Sequence, residues 1–335
     1  MSMKAKILEL LREKETYVSG QELCEQFGVS RTAVWKAIGQ LKKEGYVIEA
    51  VQNKGYHLVD QAEEVYNQAD IQSRLKTKWV GHPLLFFDSI DSTNIRAKLE
   101  AEQGAESGLL VVSDMQSAGR GRRGRGWESP AGINIYYTLM LKPDFSSDCA
   151  PMLTLVMALA VAKGIRQTLR RDSGEAAAKG GIKWPNDLVM QGKKLCGVLT
   201  ELELEAETGQ PRYVIVGIGT NVFQTEADFG PEVAPVAISL AQVLDTPPGR
   251  TALAAEILRA MDDLYQDFPQ ARQRYLEQYR KDCLTLGKEI SVVRPDGTRQ
   301  GFASGINEDF ALVARWEDGT EEPLSAGEVS VRGLY

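Results

Sequence analysis

The stretch Gly119-Arg120-Gly121-Arg122-Arg123-Gly124-Arg125-Gly126-Trp127 restricts the fold more than any other in the chain. Four glycines and four arginines leave it with no aliphatic side chain and maximal backbone freedom, so it cannot contribute to a core. Apolar segments bound it, Gly108-Leu109-Leu110-Val111-Val112 upstream and Ile133 to Leu141 downstream, and both read as strands. The run therefore predicts a loop hung between two sheet elements, where ligand-binding loops sit. Glycines let backbone N–H groups approach an anion, and the arginine fork matches phosphate or carboxylate oxygens. An isolated tract of this composition would also suit a disordered RNA-binding tail; the flanking strands favour the loop.

A chain of 335 residues predicts two or three domains with an ample core. Its 43% hydrophobic and 25% charged residues are ordinary for a soluble globular protein. The net charge of −7 gives no global basic field, so any nucleic-acid contact must come from a local patch. Cys24, Cys149, Cys196 and Cys283 are widely separated and read as reduced thiols of a cytoplasmic protein. His57 and His82 are the only histidines, too few for a zinc site or a Ser-His-Asp triad. The longest apolar run, Met152 to Ala162, is about half the ~20 residues of a spanning helix, and the amino terminus does not read as a signal peptide. No membrane partner is expected.

Residues 1–60 read helix, helix, turn, helix, hairpin. Ile7, Leu8, Leu10 and Leu11 share one face of the first helix, and Ser19 with Glu22 forms a capping box for the second. Gly28-Val29 turns the chain and Ser30 caps a third helix whose inward stripe is Ala33, Val34, Ala37, Ile38 and Leu41. Its outer side carries Arg31, Thr32, Trp35 and Lys36. Strands over Tyr46–Ala50 and Tyr56–Val59 pair across Asn53-Lys54-Gly55. This is a winged helix-turn-helix, with the third helix suited to a major groove and Lys54 at the wing tip suited to phosphate. The same fold also serves as a protein-interaction module; the basic outer face favours DNA. So weakly charged a module predicts a homodimer reading two half-sites. Residues 61–77 read as a linker.

Strands and helices alternate over 78–285, the expected central α/β domain. Leu84–Phe87 is a strand leading to Ser92-Thr93-Asn94, which reads either as a helix cap or as a polar cluster for a small ligand. Gln116 is a further polar candidate. Pro151 begins a long helix whose Met and Leu stripe is core. Lys183-Trp184-Pro185-Asn186-Asp187 is either an Asx turn or a rigid presentation of an amide and a carboxylate that would help hold Mg²⁺ with nucleotide phosphates. Lys194 abuts an apolar strand and can point into a site, although paired surface lysines are common. Gly217-Ile218-Gly219-Thr220-Asn221 lacks the third glycine and following helix of a dinucleotide fingerprint; its glycines predict close approach to a ligand. Helices over 251–283, broken at Pro269, precede short strands over 286–335. Turns fall at Pro295-Asp296-Gly297, Asn307-Glu308-Asp309 and Glu317-Asp318-Gly319, and a small SH3-like β-barrel without chemistry of its own is expected.

Taken in order, these motifs resemble those of biotin protein ligases, and with the winged helix the whole chain resembles their bifunctional bacterial form, ligase and biotin operon repressor in one. The resemblance implies an α+β multidomain chain with a biotin/lipoate-ligase-like catalytic domain that uses biotin, ATP and Mg²⁺. By position it implies that Ser92, Thr93, Asn94, Gln116, Arg120, Gly121, Arg122 and Lys194 bind biotin. It likewise implies that Arg122, Arg125, Trp127, Asn186, Lys194 and Asn221 address ATP or the adenylate, with Trp127 stacked on adenine. Arg122, Lys194 and Asp187 would be catalytic, Asp187 also serving Mg²⁺. Ser30, Arg31, Thr32, Trp35, Lys36 and Lys54 would contact operator DNA. Implied partners are a biotin carboxyl carrier domain of acetyl-CoA carboxylase or pyruvate carboxylase, biotin operator DNA, and a second copy of the chain. Two positions depart from the usual pattern: Gly126 stands where many relatives have a longer residue, and Cys196 replaces the more usual alanine. Competing readings are a lipoate or octanoate ligase, a ligand-sensing repressor without ligase activity, and a ligase whose winged helix makes only protein contacts. The Arg-Gly loop with Lys183–Asp187 favours biotin, and intact Arg122, Asp187 and Lys194 weigh against a decayed enzyme.

Overall fold

The computed structural model describes residues 1–14, 16–59, 64–175, 178–294, 297–325 and 328–335. They divide into two compact units, one of residues 1–76 with 249–255 and one of 77–248 with 256–335.

In the first unit α1 (Met3–Lys14), α2 (Gly20–Phe27) and α3 (Arg31–Lys43) precede a hairpin of β1 (Ile48–Val51) and β2 (Gly55–Leu58). Ile7, Leu8, Leu11, Leu23, Val34, Ile38 and Leu41 form its core, as the apolar spacing predicts. Ser19 caps α2 through Glu22 N–H at 3.0 Å, but the Glu22 carboxylate turns to Lys14 at 3.3 Å. Gly28 ends α2 in the left-handed region at φ 64°, and Ser30 caps α3 through Ala33 N–H. Gly55 has φ 117°, and a Cβ there would lie 2.1 Å from the Val18 carbonyl oxygen, so only glycine starts this strand.

Part of the stretch read as linker is instead a helix, α4 (Gln68–Arg74), packed against α1. Asn67 caps it through Asp70 N–H, and the buried Asp70 carboxylate receives Arg12 and, at 3.1 Å, Arg74. Polarity marked these residues as solvated; pairing is what permits their burial.

The second unit, described by itself, runs β3 (Leu84–Phe87), α5 (Thr93–Glu102), β4 (Leu110–Ser113), β5 (Asn134–Leu141), α6 (Ala150–Ser173), β6 (Gly181–Lys183), β7 (Asp187–Met190), β8 (Lys193–Leu204) and β9 (Pro211–Asn221). It continues with α7 (Glu226–Val233), α8 (Arg250–Tyr265, in this unit from Glu256) and α9 (Arg272–Asp282). Among the described residues its sheet has seven strands in the order β3-β4-β5-β9-β8-β7-β6. Only β3 and β4 pair in parallel, joined by α5, which packs Ala97 and Ala101 on Val111, Met140 and Ile215. Every residue of β5 is buried, so the middle of the sheet is covered on both faces.

Helix α6 is longer than its apolar run predicts because the amphipathic pattern continues to Leu169. It contains a window long and apolar enough to cross a membrane, but 67% of that window is buried in the fold, where it serves as a core helix.

The carboxy-terminal segment comprises β10 (Glu289–Arg294), β11 (Gly297–Ile306), β12 (Leu312–Trp316), β13 (Glu321–Leu324) and β14 (Glu328–Val331). They form an antiparallel five-stranded sheet in the order β13-β12-β11-β10-β14; among the described residues β13 and β14 do not pair to close a barrel. The turn expected at Pro295-Asp296 lies outside the described residues. Arg280 on α9 donates to the Ile306 carbonyl at 3.0 Å and Arg272 to the Glu308 carbonyl at 2.9 Å, tying this sheet to the helix.

Gly164 marks where α6 crosses α8. Alanine is the better helix former by about 1 kcal/mol, but its Cβ would lie 2.5 Å from Ile257 Cα. Overpacking of this kind costs about 1–3 kcal/mol. Gly164→Ala should therefore lower the urea midpoint of unfolding; a raised midpoint would show that the two helices part freely.

Candidate active site

The Arg-Gly run folds as a ribbon closed on itself. Trp127 N–H donates to Gly119 O at 2.9 Å, Gly121 N–H to Arg125 O at 2.7 Å, and a single 3-10 turn spans Arg122–Gly124. A Cβ on Gly119 would meet Trp127 O at 2.2 Å, so the neck of the ribbon requires glycine. Ribbon, sheet and carboxy-terminal segment enclose a cavity of about 480 Å³.

One end of the cavity is polar and uncharged. Ser92, Thr93 and Asn94 begin α5, and the Ser92 hydroxyl makes no capping bond, so the helix-cap alternative does not account for it. Gln116 Oε1 accepts from Thr93 N–H at 2.9 Å and from its hydroxyl at 3.0 Å, while Gln116 Nε2 donates to Ser129. Asn94 is held at both ends: Thr138 donates to Oδ1 at 2.7 Å and Nδ2 donates to Glu201 at 2.7 Å. Lys98 also pairs with Glu201 at 2.7 Å. Burial opposes ionisation of Glu201, but Lys98, Asn94 and the charge of Arg120 outweigh it and hold the group below the usual carboxylate range.

The other end is cationic. Arg122, Arg125, Lys183 and Lys194 line it with Asp187, while Arg120 lines the cavity on the side of Glu201. Lys194 Nζ lies 2.8 Å from Asp187 Oδ1 and 5.0 Å from the Trp127 ring centroid. Its neighbour Lys193 turns away to the Ala234 carbonyl, which separates the functional lysine from the ordinary one. Arg122 donates to Asn186 Oδ1 at 3.2 Å, and Asn186 Nδ2 bonds the Val198 carbonyl, so Asn186 bridges the ribbon and β8. The segment that presents Asn186 and Asp187 is fixed from below: Thr285 accepts from Trp184 N–H at 2.9 Å and Tyr279 donates to Pro185 O at 2.9 Å.

Three expectations change in detail. Gly217 and Gly219 line the cavity, and protein side chains also approach them closely. A Cβ on Gly217 would lie 2.2 Å from Asn94 Oδ1, and one on Gly219 would lie 2.8 Å from the Trp127 indole nitrogen. Asn221 does not line the cavity; its amide is buried and donates to the Ile238 carbonyl at 3.1 Å. The carboxy-terminal segment, read as devoid of chemistry, contributes Val329 and Tyr335 to the cavity. The Tyr335 hydroxyl donates to Asp187 Oδ2 at 2.6 Å, and Lys183 Nζ stands 3.8 Å from its ring centroid. Burial, then the Asp187 charge, push that hydroxyl's pKa upward, so it remains a donor at neutral pH. Nothing near Tyr335 in the sequence resembles a motif, which is why sequence reading missed it. Cys196 lies under Lys194, and burial pushes its thiol up to about 12, leaving it an inert thiol bonded to Thr220.

Among the described residues, no group of three or more His, Cys, Asp or Glu could hold a metal. A divalent cation arriving with a nucleotide needs only one or two protein ligands, and Asp187 beside Asn186 meets that demand.

In the first unit Ser30, Arg31, Thr32, Trp35, Lys36 and Lys54 are all exposed, Trp35 to 68%. Arg31 is steadied by Gln21 at 2.9 Å, and Lys54 lies over the Tyr17 ring. They place polar and cationic groups on the outer side of α3 and on the hairpin tip.

Residues 86–221 match the Biotin/lipoate A/B protein ligase family, residues 4–57 an HTH domain and residues 285–332 the biotin protein ligase C-terminal domain. The bifunctional ligase/repressor BirA of Bacillus spizizenii is 36% identical over 97% of this chain and 98% of its own length. The chain belongs to the biotin protein ligase family. The Escherichia coli BirA is 30% identical over 98% of this ligase and 96% of its own length. Among solved structures, the biotin protein ligase of Aquifex aeolicus in complex with biotin and ATP aligns with a TM-score of 0.59 at 27% identity, covering 74% of this chain and 98% of that one.

Because Glu201 is held below its ordinary value of 4.5, its contribution to this ligase's stability is complete above about pH 4.5 and is lost as pH falls through the lower folded value. The stability difference between wild type and Glu201→Gln, from urea titrations, should be constant from pH 6 to 8 and shrink below pH 4.5. A difference independent of pH would show that Glu201 is not charged in this network.

Proposed function

We infer that this chain is an ATP-dependent biotin–protein ligase that also represses transcription of a biotin operon. The observation that carries the first part is one cavity with an uncharged polar end and a strongly cationic end. Biotin has that polarity: a ureido head to be hydrogen-bonded and a carboxylate tail to be brought against a phosphate. Ser92, Thr93, Asn94 and Gln116 serve the head, Asn94 as an aligned part of the wall, while Arg120 and Gly121 close over it. Arg122, Arg125, Asn186 and Lys194 address the tail and the nucleotide, Trp127 forms the wall on which adenine stacks, and Asn221 acts through the chain it holds.

In the first step a biotin carboxylate oxygen attacks the α-phosphorus of ATP; the new O–P bond forms and pyrophosphate leaves. Both reactants are anions, so Arg122 and Lys194 neutralise charge where it develops. Asp187 with Asn186 would hold the Mg²⁺ carried by ATP, which adds further neutralisation. In the second step a neutral lysine amine on a biotin carboxyl carrier domain, of acetyl-CoA carboxylase or pyruvate carboxylase, attacks the acyl carbon of biotinyl-5′-AMP. The C–N bond forms, the acyl C–O bond breaks and AMP leaves. Asp187 would orient that amine or take its proton.

The winged helix supports repression. Residues 1–60 are taken as the DNA-reading domain, 61–77 as the connection, 78–285 as the catalytic domain and 286–335 as an SH3-like support. The exposed face of α3 enters a major groove and Lys54 meets phosphate. A homodimer with biotinyl-5′-AMP as corepressor presents two such faces to a two-fold operator. The site is a cytoplasmic one, consistent with four free thiols.

Biotin- and ATP-dependent labelling of a carrier-domain lysine, with lipoate as control, should show transfer of biotin only. Asp187→Ala should slow labelling by about 100-fold; normal rates of both steps would remove Asp187 from the chemistry. In gel shifts on a biotin-operon promoter, biotinyl-5′-AMP should strengthen binding, and Lys54→Ala should weaken it and lower its salt slope by about 2, about 1 for each half-site. Labelling without any shift would leave the ligase and reject the repressor.

A further inference from the structure

We propose that Tyr335 is a positioning residue of the adenylation site, fixing Asp187 so that Asp187 in turn fixes Lys194. Asp187 opens β7 and Lys194 lies at the start of β8, so the turn at Gln191-Gly192 joins the strands that carry the pair. Tyr335 is docked at three points, two on that hairpin and one on β6. Its N–H donates to Gly192 O at 2.9 Å, its main-chain oxygen accepts from Lys183 Nζ at 3.4 Å, and its hydroxyl donates to Asp187 Oδ2 at 2.6 Å. The other carboxylate oxygen, Oδ1, holds Lys194 at 2.8 Å.

A carboxylate tied through one oxygen can turn about its Cβ–Cγ bond. Tied through both, to groups on different elements, it presents one fixed plane. Lys194 depends on that plane, because its flexible four-carbon stem does not locate the ammonium unaided. The Tyr335 ring is itself held by Lys183, 3.8 Å from its centroid. The hydroxyl makes none of the bonds at the uncharged end of the cavity, where Gln116 bonds Thr93 and Ser129 and Asn94 bonds Thr138 and Glu201. Its loss should therefore spare biotin binding and slow the step in which Lys194 must stand beside both anions.

The proposal rests on the ligase reading above. The test uses the full chain as wild type, Tyr335→Phe, Asp187→Asn and the double variant. Tyr335→Phe keeps the ring and removes only the hydroxyl. Single-turnover pyrophosphate release should fall about tenfold in Tyr335→Phe, the scale of one hydrogen bond to a charged group. Biotin affinity by calorimetry without ATP should stay within about twofold of wild type, the scale left by a hydrogen bond that does not touch the ligand. In the Asp187→Asn background the same change should cause no further loss, since the two residues act as one unit. A wild-type rate in Tyr335→Phe, an equal loss in both backgrounds, or a matching loss of biotin affinity would overturn the proposal while leaving the ligase reading intact. A wild-type chain that forms no biotinyl-5′-AMP would overturn both.

Discussion

Two glycines facing each other across a strand pair set the shape of the site. Gly197 on β8 and Gly219 on β9 are direct antiparallel partners, so the sheet surface carries a notch with no Cβ on either side. The Trp127 indole rests in that notch, 3.4 Å from a Cβ position at Gly197 and 2.8 Å from one at Gly219, and the Lys194 ammonium lies 3.2 Å from the first. Two residues along β9, Gly217 admits Asn94 in the same way. The polar wall and the aromatic wall of the cavity thus both depend on backbone left bare. Any side chain at these glycines would push Trp127 or Asn94 outward and close the space meant for ligand.

Electrostatics complete what packing begins. The chain carries a net charge of −7, yet five cationic side chains line one cavity around a single carboxylate. Like charges brought so close together repel, and anions that enter relieve that repulsion. The site therefore favours ligands that bring several negative charges, which a nucleoside triphosphate and a carboxylic acid do. This explains why a protein of acidic composition needs a loop so rich in arginine, a loop that its own backbone closes into a ribbon.

Much of this was legible in the sequence because it rests on local rules. The Arg-Gly run had to be a loop, Ser19 and Ser30 had to start helices, and the stripe from Val34 to Leu41 had to face inward, leaving Arg31, Trp35 and Lys36 outside. What was not legible depends on partners far along the chain. Asp70 looked like a solvated linker residue because nothing local announces Arg12 as its counterion. Gly217 and Gly219 signalled close approach, but spacing alone does not distinguish a ligand from the side chains of Asn94 and Trp127. Asn221 carries the polarity of a contact residue and spends it on the Ile238 carbonyl. Tyr335 is the extreme case: 148 positions separate it from the carboxylate it touches, and only the folded carboxy-terminal sheet brings them together.

If biotinyl-5′-AMP favours the dimer, and the dimer is the form that reads two half-sites, linkage imposes a reciprocal consequence. Operator DNA must then raise the affinity for the adenylate by the same factor by which the adenylate raises affinity for DNA. The acceptor lysine works in the opposite sense, because it consumes the adenylate that the DNA-bound form retains. A single intermediate is thereby divided between two fates by the concentration of unmodified carrier domain. On the proposed reading, abundant carrier lysines would draw adenylate into transfer and vacate the operator, and their exhaustion would leave adenylate in place and repression on. The requirement is only that the adenylate be long-lived in its cavity, and walls formed by Trp127 and the Arg-Gly ribbon would serve it by keeping water from an activated acyl group.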